Sequence, residues 1–281
     1  MRLANVKGRL TTFAEGRAVD VEHESGGLFE ADPQAVYDQW DAFTEWASSI
    51  GAVGGGPVEP AQLGAPVPRP GQVFAIGLNY RDHAAEAGLH LPTFPHTFTK
   101  FPSCVVGPDT AVEVVGDTSD WEVELVVVIG RPAHRIDAAE AWNHIAGVTI
   151  GQDLSERTRQ LEGPAPQFNL GKSFPGYGPT GPWLVTPDEL PDRDDLALTC
   201  TLDGEVVQSS STAQLIFPVA DLVAKLASVV TLRPGDLIFT GTPSGVGHAR
   251  SPQRFLVPGQ ELVSEIDGVG RLTTSLIAPT G

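Results

Sequence analysis

The sequence Trp121-Glu122-Val123-Glu124-Leu125-Val126-Val127-Val128-Ile129-Gly130 decides the fold prediction and raises the first question about function. Apolar and β-branched residues run without interruption from Leu125 to Ile129, which is typical of a strand that enters a core, and Gly130 ends the run. Glu122 and Glu124 are two residues apart, so both side chains project from the same face of that strand. Two adjacent carboxylates repel each other unless a cation lies between them. The pair therefore indicates either a cation site or a solvated edge where the strand leaves the protein.

Composition narrows the classes of partner. The chain has 281 residues, with 18 Lys and Arg against 35 Asp and Glu, and its formal net charge of −17 argues against nucleic acid or an anionic membrane as a partner. An anionic substrate stays open, because a bound dication inverts the local field. Cys104 and Cys200 lack CxxC or CxxH neighbours, which excludes a zinc site built on cysteine. Without an apolar signal core or a run of membrane-spanning length, we expect a soluble, cytoplasmic protein.

The first part of the chain is predicted to form a small α+β unit. Two strands flank the turn sequence Ala14-Glu15-Gly16 and suggest a hairpin. Apolar residues then recur at helical spacing from Asp32-Pro33 to Gly51, which predicts a helix. Residues 51–70 are rich in glycine and proline, which is typical of a linker. We therefore expect a small N-terminal domain over residues 1–65 and a larger domain over residues 70–281.

Strands dominate the rest of the chain, and two Asp-Gly pairs indicate hairpin turns. The predicted strand segments are Val73–Ile76, Val112–Val115, Glu122–Ile129, Val148–Ile150, Trp183–Val185, Leu196–Val207, Leu237–Thr240 and Glu261–Ile277. A capping-box pattern at Asp137–Glu140 predicts a short helix ending at Gly147, and Pro218 begins another helix. Strands and helices do not alternate as in Rossmann or TIM folds. We predict a mostly β (α+β) protein, with a mixed, largely antiparallel β-sandwich roll, peripheral short helices and the small N-terminal domain.

The segment from Gly77 to Gly88 places an imidazole beside a carboxylate. It follows a predicted strand and begins a short helix, in which His83 and Glu86 are three residues apart and share one face. A carboxylate fixes the tautomer of an imidazole and raises its basicity, as a general base that deprotonates water requires. A surface His–Glu pair would have the same spacing.

Two further strand ends carry candidate ligands. Asp153 follows the apolar strand Val148–Ile150, where it is either a ligand or a helix cap. The loop Thr240–Gly247 follows Leu237–Phe239, and its glycines allow the backbone to approach a ligand closely. Its N–H groups and hydroxyls suit a carboxylate, although a tight glycine-rich turn has the same composition.

Taken together, these motifs resemble the fumarylacetoacetate hydrolase family. The strings GLNYRDHAAE at 77–86, WEVEL at 121–125, GQDLSER at 151–157, GKSF at 171–174 and TGTPSGVG at 240–247 occur in the order and spacing of that family, across roughly Val73 to Leu276. Each string is weak alone, and the joint match is specific. The resemblance implies that the domain over residues 70–281 is catalytic.

The resemblance also implies roles for individual residues. Three carboxylates would bind Mg²⁺ or Mn²⁺, with Ca²⁺ as a substitute in a crystal. The implied metal ligands are Glu122, Glu124 and Asp153; the catalytic residues are His83, Glu86 and Lys172; the substrate contacts are Arg157, Gln160, Gly241 and Thr242. An all-oxygen ligand set is the kind that a hard dication prefers, which agrees with the family's metal.

We therefore expect a metal-dependent hydrolase acting on a carbon–carbon bond of a 2,4-dioxo acid such as an acylpyruvate or fumarylacetoacetate, as in aromatic catabolism. His83, oriented by Glu86, would activate a water that attacks the distal carbonyl, and the metal and Lys172 would hold the enolate that is released. The alternatives are isomerisation, decarboxylation or dehydration of a 2-oxo acid by the same enolate chemistry, and a non-catalytic 2-oxo-acid binding protein.

Some features leave the substrate and the assembly open. Phe174 is followed by Pro175-Gly176-Tyr177, where family members often have Asp-Thr-Phe, and Thr158 stands where many have Asp. The family implies a homodimer, for which the aliphatic segment Leu215–Val230 is a candidate interface or ordinary core. The loop Leu89–Thr99 is a candidate lid or a surface connection, and its histidines are not assigned to the site.

Overall fold

The computed structural model describes residues 1–14, 17–50 and 56–280. Within those ranges the strands are β1 Arg2–Val6, β2 Arg9–Ala14, β3 Arg17–Asp20, β4 Leu63–Gly64, β5 Val73–Gly77, β6 His96–Thr99, β7 Val105–Val106, β8 Thr110–Glu113, β9 Ser119–Asp120, β10 Val123–Ile129, β11 Ile145–Gln152, β12 Ser155–Glu156, β13 Gly178–Val185, β14 Ala197–Leu202, β15 Glu205–Ser211, β16 Leu237–Phe239, β17 Glu261–Ile266 and β18 Gly270–Ile277. The α-helices are α1 Val21–Glu24, α2 Trp40–Ser48, α3 Arg81–Glu86, α4 Arg157–Gln160, α5 Phe168–Gly171 and α6 Val219–Ala227. Short 3₁₀ helices lie at Ala35–Gln39, Pro60–Gln62, Pro102–Cys104, Ala138–His144, Pro187–Glu189, Thr212–Gln214 and Gly247–Ala249.

Most strands of the described residues belong to two sheets. One has eleven strands, with the order β3-β2-β1-β13-β11-β10-β16-β5-β6 and with β4 and β7 attached to β1 and β13. The other has five strands in the order β15-β14-β17-β18-β8. Strands β9 and β12 form a separate pair. The predicted fold class, a mostly β sandwich with short peripheral helices, is confirmed.

Strand β10 lies in the middle of the large sheet and is buried on both faces. Leu125, Val127 and Ile129 belong to one apolar cluster, while Val126 and Val128 belong to the other. A strand with a core on each side must be apolar at every position, which explains the uninterrupted run in the sequence. The site begins where this run changes to glutamate.

The N-terminal strands are part of the large sheet. Strand β1 pairs with β13, so residues from both predicted domains share one set of backbone hydrogen bonds. The division between residues 1–65 and 70–281 stays a prediction. The hairpin turn at residues 15–16, the helix end at Gly51 and the linker residues 51–55 lie outside the described residues.

Two local predictions were wrong in detail. The capping-box segment forms the 3₁₀ helix Ala138–His144 rather than an α-helix reaching Gly147, because Ile145 already begins β11 and pairs with Ile129. Residues 96–99 of the candidate lid form strand β6, which pairs with β5 at the edge of the sheet. The helix at Pro218 was predicted correctly, and α6 packs Leu222 and Val223 into the core.

No helix among the described residues combines the length and the hydropathy needed to cross a bilayer; α2 and α6 have nine residues each.

Candidate active site

Three buried carboxylates meet at the end of strand β10. One oxygen from each of Glu122, Glu124 and Asp153 lies within 4.8 Å of the others. The pairing of β10 with β11 produces this meeting, because Val123 lies opposite Gln152 and the Asp153 N–H donates to the Glu122 carbonyl at 2.9 Å. All three side chains are buried, so the solvated-edge interpretation of the glutamate pair is wrong.

Two cations contact the carboxylates on one side. The Lys172 ammonium, at the end of α5, donates to Glu122 Oε2 at 2.7 Å, to Asp153 Oδ2 at 2.7 Å and to Ser155 Oγ at 2.8 Å. The Arg157 guanidinium forms an ion pair with Glu122 Oε1 at 2.7 Å. Burial alone would raise the pKa of Glu122, but these two cations outweigh it and hold that pKa below its usual value.

Glu124 has a different environment. Burial, together with the negative charges of Asp153 and Glu122, raises the pKa of Glu124 well above its usual value. Its Oε2 atom accepts a hydrogen bond from the Gly241 N–H at 2.7 Å. The protein thus places a third carboxylate where the local negative charge opposes its ionisation, which a bound cation would reverse.

Charge balance provides a test of whether a dication fits. Among the described residues, Asp120 joins the three carboxylates, and Lys100 joins Lys172 and Arg157 in direct contact with them. With all four carboxylates ionised, as metal ligation requires, four negative charges against three cations leave one net negative charge in a buried volume. A dication would change this to one net positive charge, which the single carboxylate of a 2-oxo acid neutralises. The oxygen-only donor set and the charge count therefore both fit a hard dication.

The His–Glu pair forms as the sequence predicts. In α3, His83 Nδ1 and Glu86 Oε2 are 2.9 Å apart. The other oxygen of Glu86 accepts a hydrogen bond from the Gly245 N–H at 2.9 Å, so the carboxylate is held by the glycine-rich loop. Because a carboxylate accepts, the Nδ1 atom carries the proton and Nε2 presents a lone pair, as a general base requires.

One cavity is lined by both His83 of the dyad and Glu122 of the carboxylate cluster. It has a volume of about 330 Å³, and its wall includes His83, Glu122, Arg157, Gln160, Lys172 and Thr242. Six of the ten residues predicted for the site therefore line a single space, while Glu86, Glu124, Asp153 and Gly241 lie outside its wall. Two other surface concavities among the described residues, of about 380 and 320 Å³, are lined by neither the dyad nor the carboxylates.

The loop after β16 contributes in a way that sequence reasoning missed. The Thr242 hydroxyl donates to the Val123 carbonyl at 2.9 Å and accepts from Gln208 Nε2 at 2.8 Å. The Gly241 N–H is bonded to Glu124, and its φ of +103° favours glycine. Both donors are thus engaged within the protein. Their predicted contact with the substrate stays a prediction, and the structure shows that they support Glu124 and β10.

Three more buried polar residues support the site without belonging to the predicted set. Asp120 accepts from Arg157 Nε at 2.9 Å and from the Gly247 N–H at 2.7 Å. Gln208 accepts from the Val123 N–H at 3.0 Å. Lys100 donates to Asp153 Oδ1 at 2.6 Å and to the Lys172 carbonyl. Asp120 directly precedes the WEVEL string, so its position in the sequence could have identified it as a site residue. Lys100 and Gln208 belong to no motif and could not have been found in this way.

Replacing Lys100 with methionine should destabilise the protein strongly. The change removes a buried ammonium group. Asp153 Oδ1 and the Lys172 carbonyl then lose this hydrogen-bond donor. Removing one partner of a buried ion pair costs about 3–5 kcal/mol, so urea should unfold Lys100→Met at a much lower concentration. Lys225→Met is the matched control: its pair with Asp221, at 3.6 Å, is partly exposed, and its loss should cost about 1 kcal/mol or less. Equal unfolding midpoints for both variants would contradict the role of Lys100.

Comparison with known proteins agrees with this geometry. The family model described as fumarylacetoacetate (FAA) hydrolase, C-terminal, matches residues 72–277. Human mitochondrial oxaloacetate tautomerase FAHD2A is 43% identical over 215 residues, covering 76% of this chain and 68% of that protein. A Mycobacterium smegmatis protein provisionally named HpcE has a crystal structure that superposes with a TM-score of 0.95 at 52% identity, covering 99% of each chain. The fumarylacetoacetate hydrolase EaFAH of Exiguobacterium antarcticum superposes with a TM-score of 0.83 at 29% identity, covering 99% of this chain and 100% of that one. The chain therefore belongs to the fumarylacetoacetate hydrolase family of enzymes.

Proposed function

We propose that this enzyme hydrolyses a carbon–carbon bond in a 2,4-dioxo acid of the acylpyruvate or fumarylacetoacetate type, with Mg²⁺ or Mn²⁺ as its metal. The observation that carries the proposal is the shared cavity, whose wall includes His83 together with Glu122 and Lys172. A base that can activate water and cations that can stabilise negative charge thus line the same cavity. Hydrolysis of a 2,4-dioxo acid requires both functions at once.

The side chains can be assigned to steps. A dication held by Glu122, Glu124 and Asp153 would supply a Lewis acid for the carboxylate and 2-oxo oxygens of the substrate. His83 Nε2 takes a proton from water, whose oxygen adds to the distal carbonyl carbon. Glu86 stabilises the imidazolium that results. The bond from that carbon to carbon 3 then breaks, so that the attacked carbonyl leaves as a carboxylic acid and the electron pair stays on the pyruvate fragment as an enolate. The His83 imidazolium returns its proton to carbon 3 of that fragment, which restores the base.

Lys172 lies where the developing charge needs a partner. Its ammonium is buried, 2% exposed for the side chain, and already contacts two carboxylates. In a low-dielectric site a fixed cation stabilises an oxyanion more strongly than it would in water.

Keto–enol tautomerisation of a 2-oxo acid is a second candidate. The 43% identity with a protein named oxaloacetate tautomerase favours it specifically. The same base and the same metal site would serve, because tautomerisation moves one proton between carbon and the oxo oxygen and needs no water as a reactant.

The remaining parts of the proposal rest on the sequence. Assembly as a homodimer and a cytoplasmic location stay predictions, and the human relative carries a mitochondrial name. The roles of Arg157 and Gln160 in binding the substrate are proposals supported by their position: Arg157 donates to Gln160 Oε1 at 2.9 Å, and both lie in the cavity wall.

Glu124→Gln should abolish metal binding. The amide keeps the shape of the side chain and an oxygen that can accept from Gly241, but it removes the negative charge. Mutation of residues that only hydrogen-bond to metal ligands typically lowers metal affinity about 10–100-fold. Loss of a ligand itself should therefore weaken Mn²⁺ binding by at least about 100-fold. Electron paramagnetic resonance of free Mn²⁺ measures this directly. Glu261→Gln, on the exposed side of β17, should bind normally, and normal binding by Glu124→Gln would refute the metal site.

His83→Ala should leave metal affinity unchanged and stop turnover. Removing a general base costs about 10²–10⁴-fold in rate, so kcat on acetylpyruvate should fall by that factor while the Mn²⁺ titration matches the parent. The exposed His23 serves as the control, and His23→Ala should retain full kcat. If His83→Ala keeps full activity, the dyad assignment is wrong.

Isotope labelling separates the two candidate reactions. Hydrolysis of acetylpyruvate in ¹⁸O-labelled water should place one label in the acetate carboxylate, since the attacking oxygen comes from water. Tautomerisation should leave the carbon skeleton intact and accelerate the conversion of enol oxaloacetate to keto oxaloacetate. This conversion is measured as the loss of enol absorbance. Both assays are run with Mg²⁺ and again with excess chelator. Tautomerisation of oxaloacetate without cleavage of any acylpyruvate would replace the first candidate with the second.

A further inference from the structure

The cavity has two chemically different ends. At the inner end, Glu122, Arg157 and Lys172 are 7%, 7% and 2% exposed, and both cations lie 2.7 Å from the Glu122 carboxylate. This end suits the carboxylate and oxo group of the substrate. The opposite end, which we call the mouth, is left without a role by the proposed chemistry.

The mouth is mainly apolar. The exposed residues that line it are Ala87, Leu89, His96, Leu161, His248 and Ala249. Leu89 and Leu161 are 55% and 44% exposed, and they follow α3 and α4 respectively. Aliphatic side chains at the rim of a cavity gain free energy when a bound apolar group removes them from water.

Permanent positive charge is confined to the inner end. Among the described residues that line the cavity, the lysine and arginine side chains are Lys172 and Arg157. Each of them already forms an ion pair with Glu122. The polar side chains at the mouth are the imidazoles of His96 and His248, which offer a carboxylate much less than an arginine does. The Glu86 carboxylate lies beside His83, where it adds negative charge near the rim.

We propose that the mouth is a subsite for an uncharged, apolar chain, so that the enzyme takes 2-oxo acids with an alkyl or aryl tail in preference to those with a second carboxylate at the far end. This proposal rests on the proposed function in one respect: the carboxylate of the 2-oxo acid binds at the inner end. The tail of the substrate therefore extends towards the mouth. It concerns groups beyond the fourth carbon and is compatible with either candidate reaction.

A matched pair of ligands tests the subsite apart from turnover. The acids 2-oxopentanoate and 2-oxoglutarate have the same head and length, and they differ in ending with a methyl group or a carboxylate. Neither has the second oxo group that hydrolysis requires, so calorimetry with the Mg²⁺-loaded enzyme reports binding alone. We expect 2-oxopentanoate to bind about tenfold more tightly, because an unpaired carboxylate against apolar side chains loses hydration without a partner.

Two arginine variants locate the effect. Leu161→Arg places a cation at the mouth and should shift the ratio of the two affinities towards 2-oxoglutarate by about two- to fivefold, the range for a partly exposed ion pair. Leu170→Arg is the matched control, since Leu170 lies on the adjacent helix α5, is 62% exposed and is not part of the cavity wall. Its ratio should equal that of the parent enzyme.

The outcomes separate this proposal from the proposed function. Equal or tighter binding of 2-oxoglutarate by the parent enzyme, no binding of either acid, or the same shift in both arginine variants would overturn the subsite. Turnover of acetylpyruvate, which has no extended tail, is measured in parallel. Its absence would count against hydrolysis, while a tenfold preference for 2-oxopentanoate would still support the subsite.

Discussion

Compensation of buried negative charge is the constraint on which the rest of this structure depends. Glu122, Glu124 and Asp153 converge at the end of a strand whose other residues are apolar, and isolated carboxylates there would be strongly destabilising. Lys172 bridges Glu122 and Asp153, and Gly241 donates to Glu124. The compensation is incomplete, and the remaining negative charge is what gives the site its capacity for a dication.

A second set of contacts holds the compensating groups in place. Lys100 joins Asp153 to the backbone of Lys172, while Asp120 joins Arg157 to the loop that carries Gly247. Glu86 is held by Gly245 of the same loop, so this loop contacts both the dyad and the charge cluster. Hydrogen-bonded networks in a low dielectric fix geometry because any broken member leaves a costly unpaired group. The positions of the three carboxylates and of His83 are thus fixed by the same network.

Much of the fold was predictable because periodic apolar patterns report burial directly. The run from Leu125 to Ile129 predicted a buried strand, and the 3-residue spacing of His83 and Glu86 predicted their contact in α3. The predictions that were wrong concern short elements. The segment Ala138–His144 forms a 3₁₀ helix, and residues 96–99 join the edge of the sheet, because pairing with distant strands outweighs the weak local preference of a few residues.

By itself, the sequence determined the residue types at the site, their order and the elements that carry them, since strand alternation and helical spacing are local geometry. The tertiary structure alone decided which of them share a cavity. It also identified Lys100, whose partner Asp153 is 53 residues away, and showed that the Thr242 hydroxyl is engaged by Val123 and Gln208. Contacts of this kind depend on how sheets pack, and no local pattern encodes them. The apolar mouth of the cavity arises in the same way, because helices α3 and α4 bring Leu89 and Leu161 to one rim from separate parts of the chain.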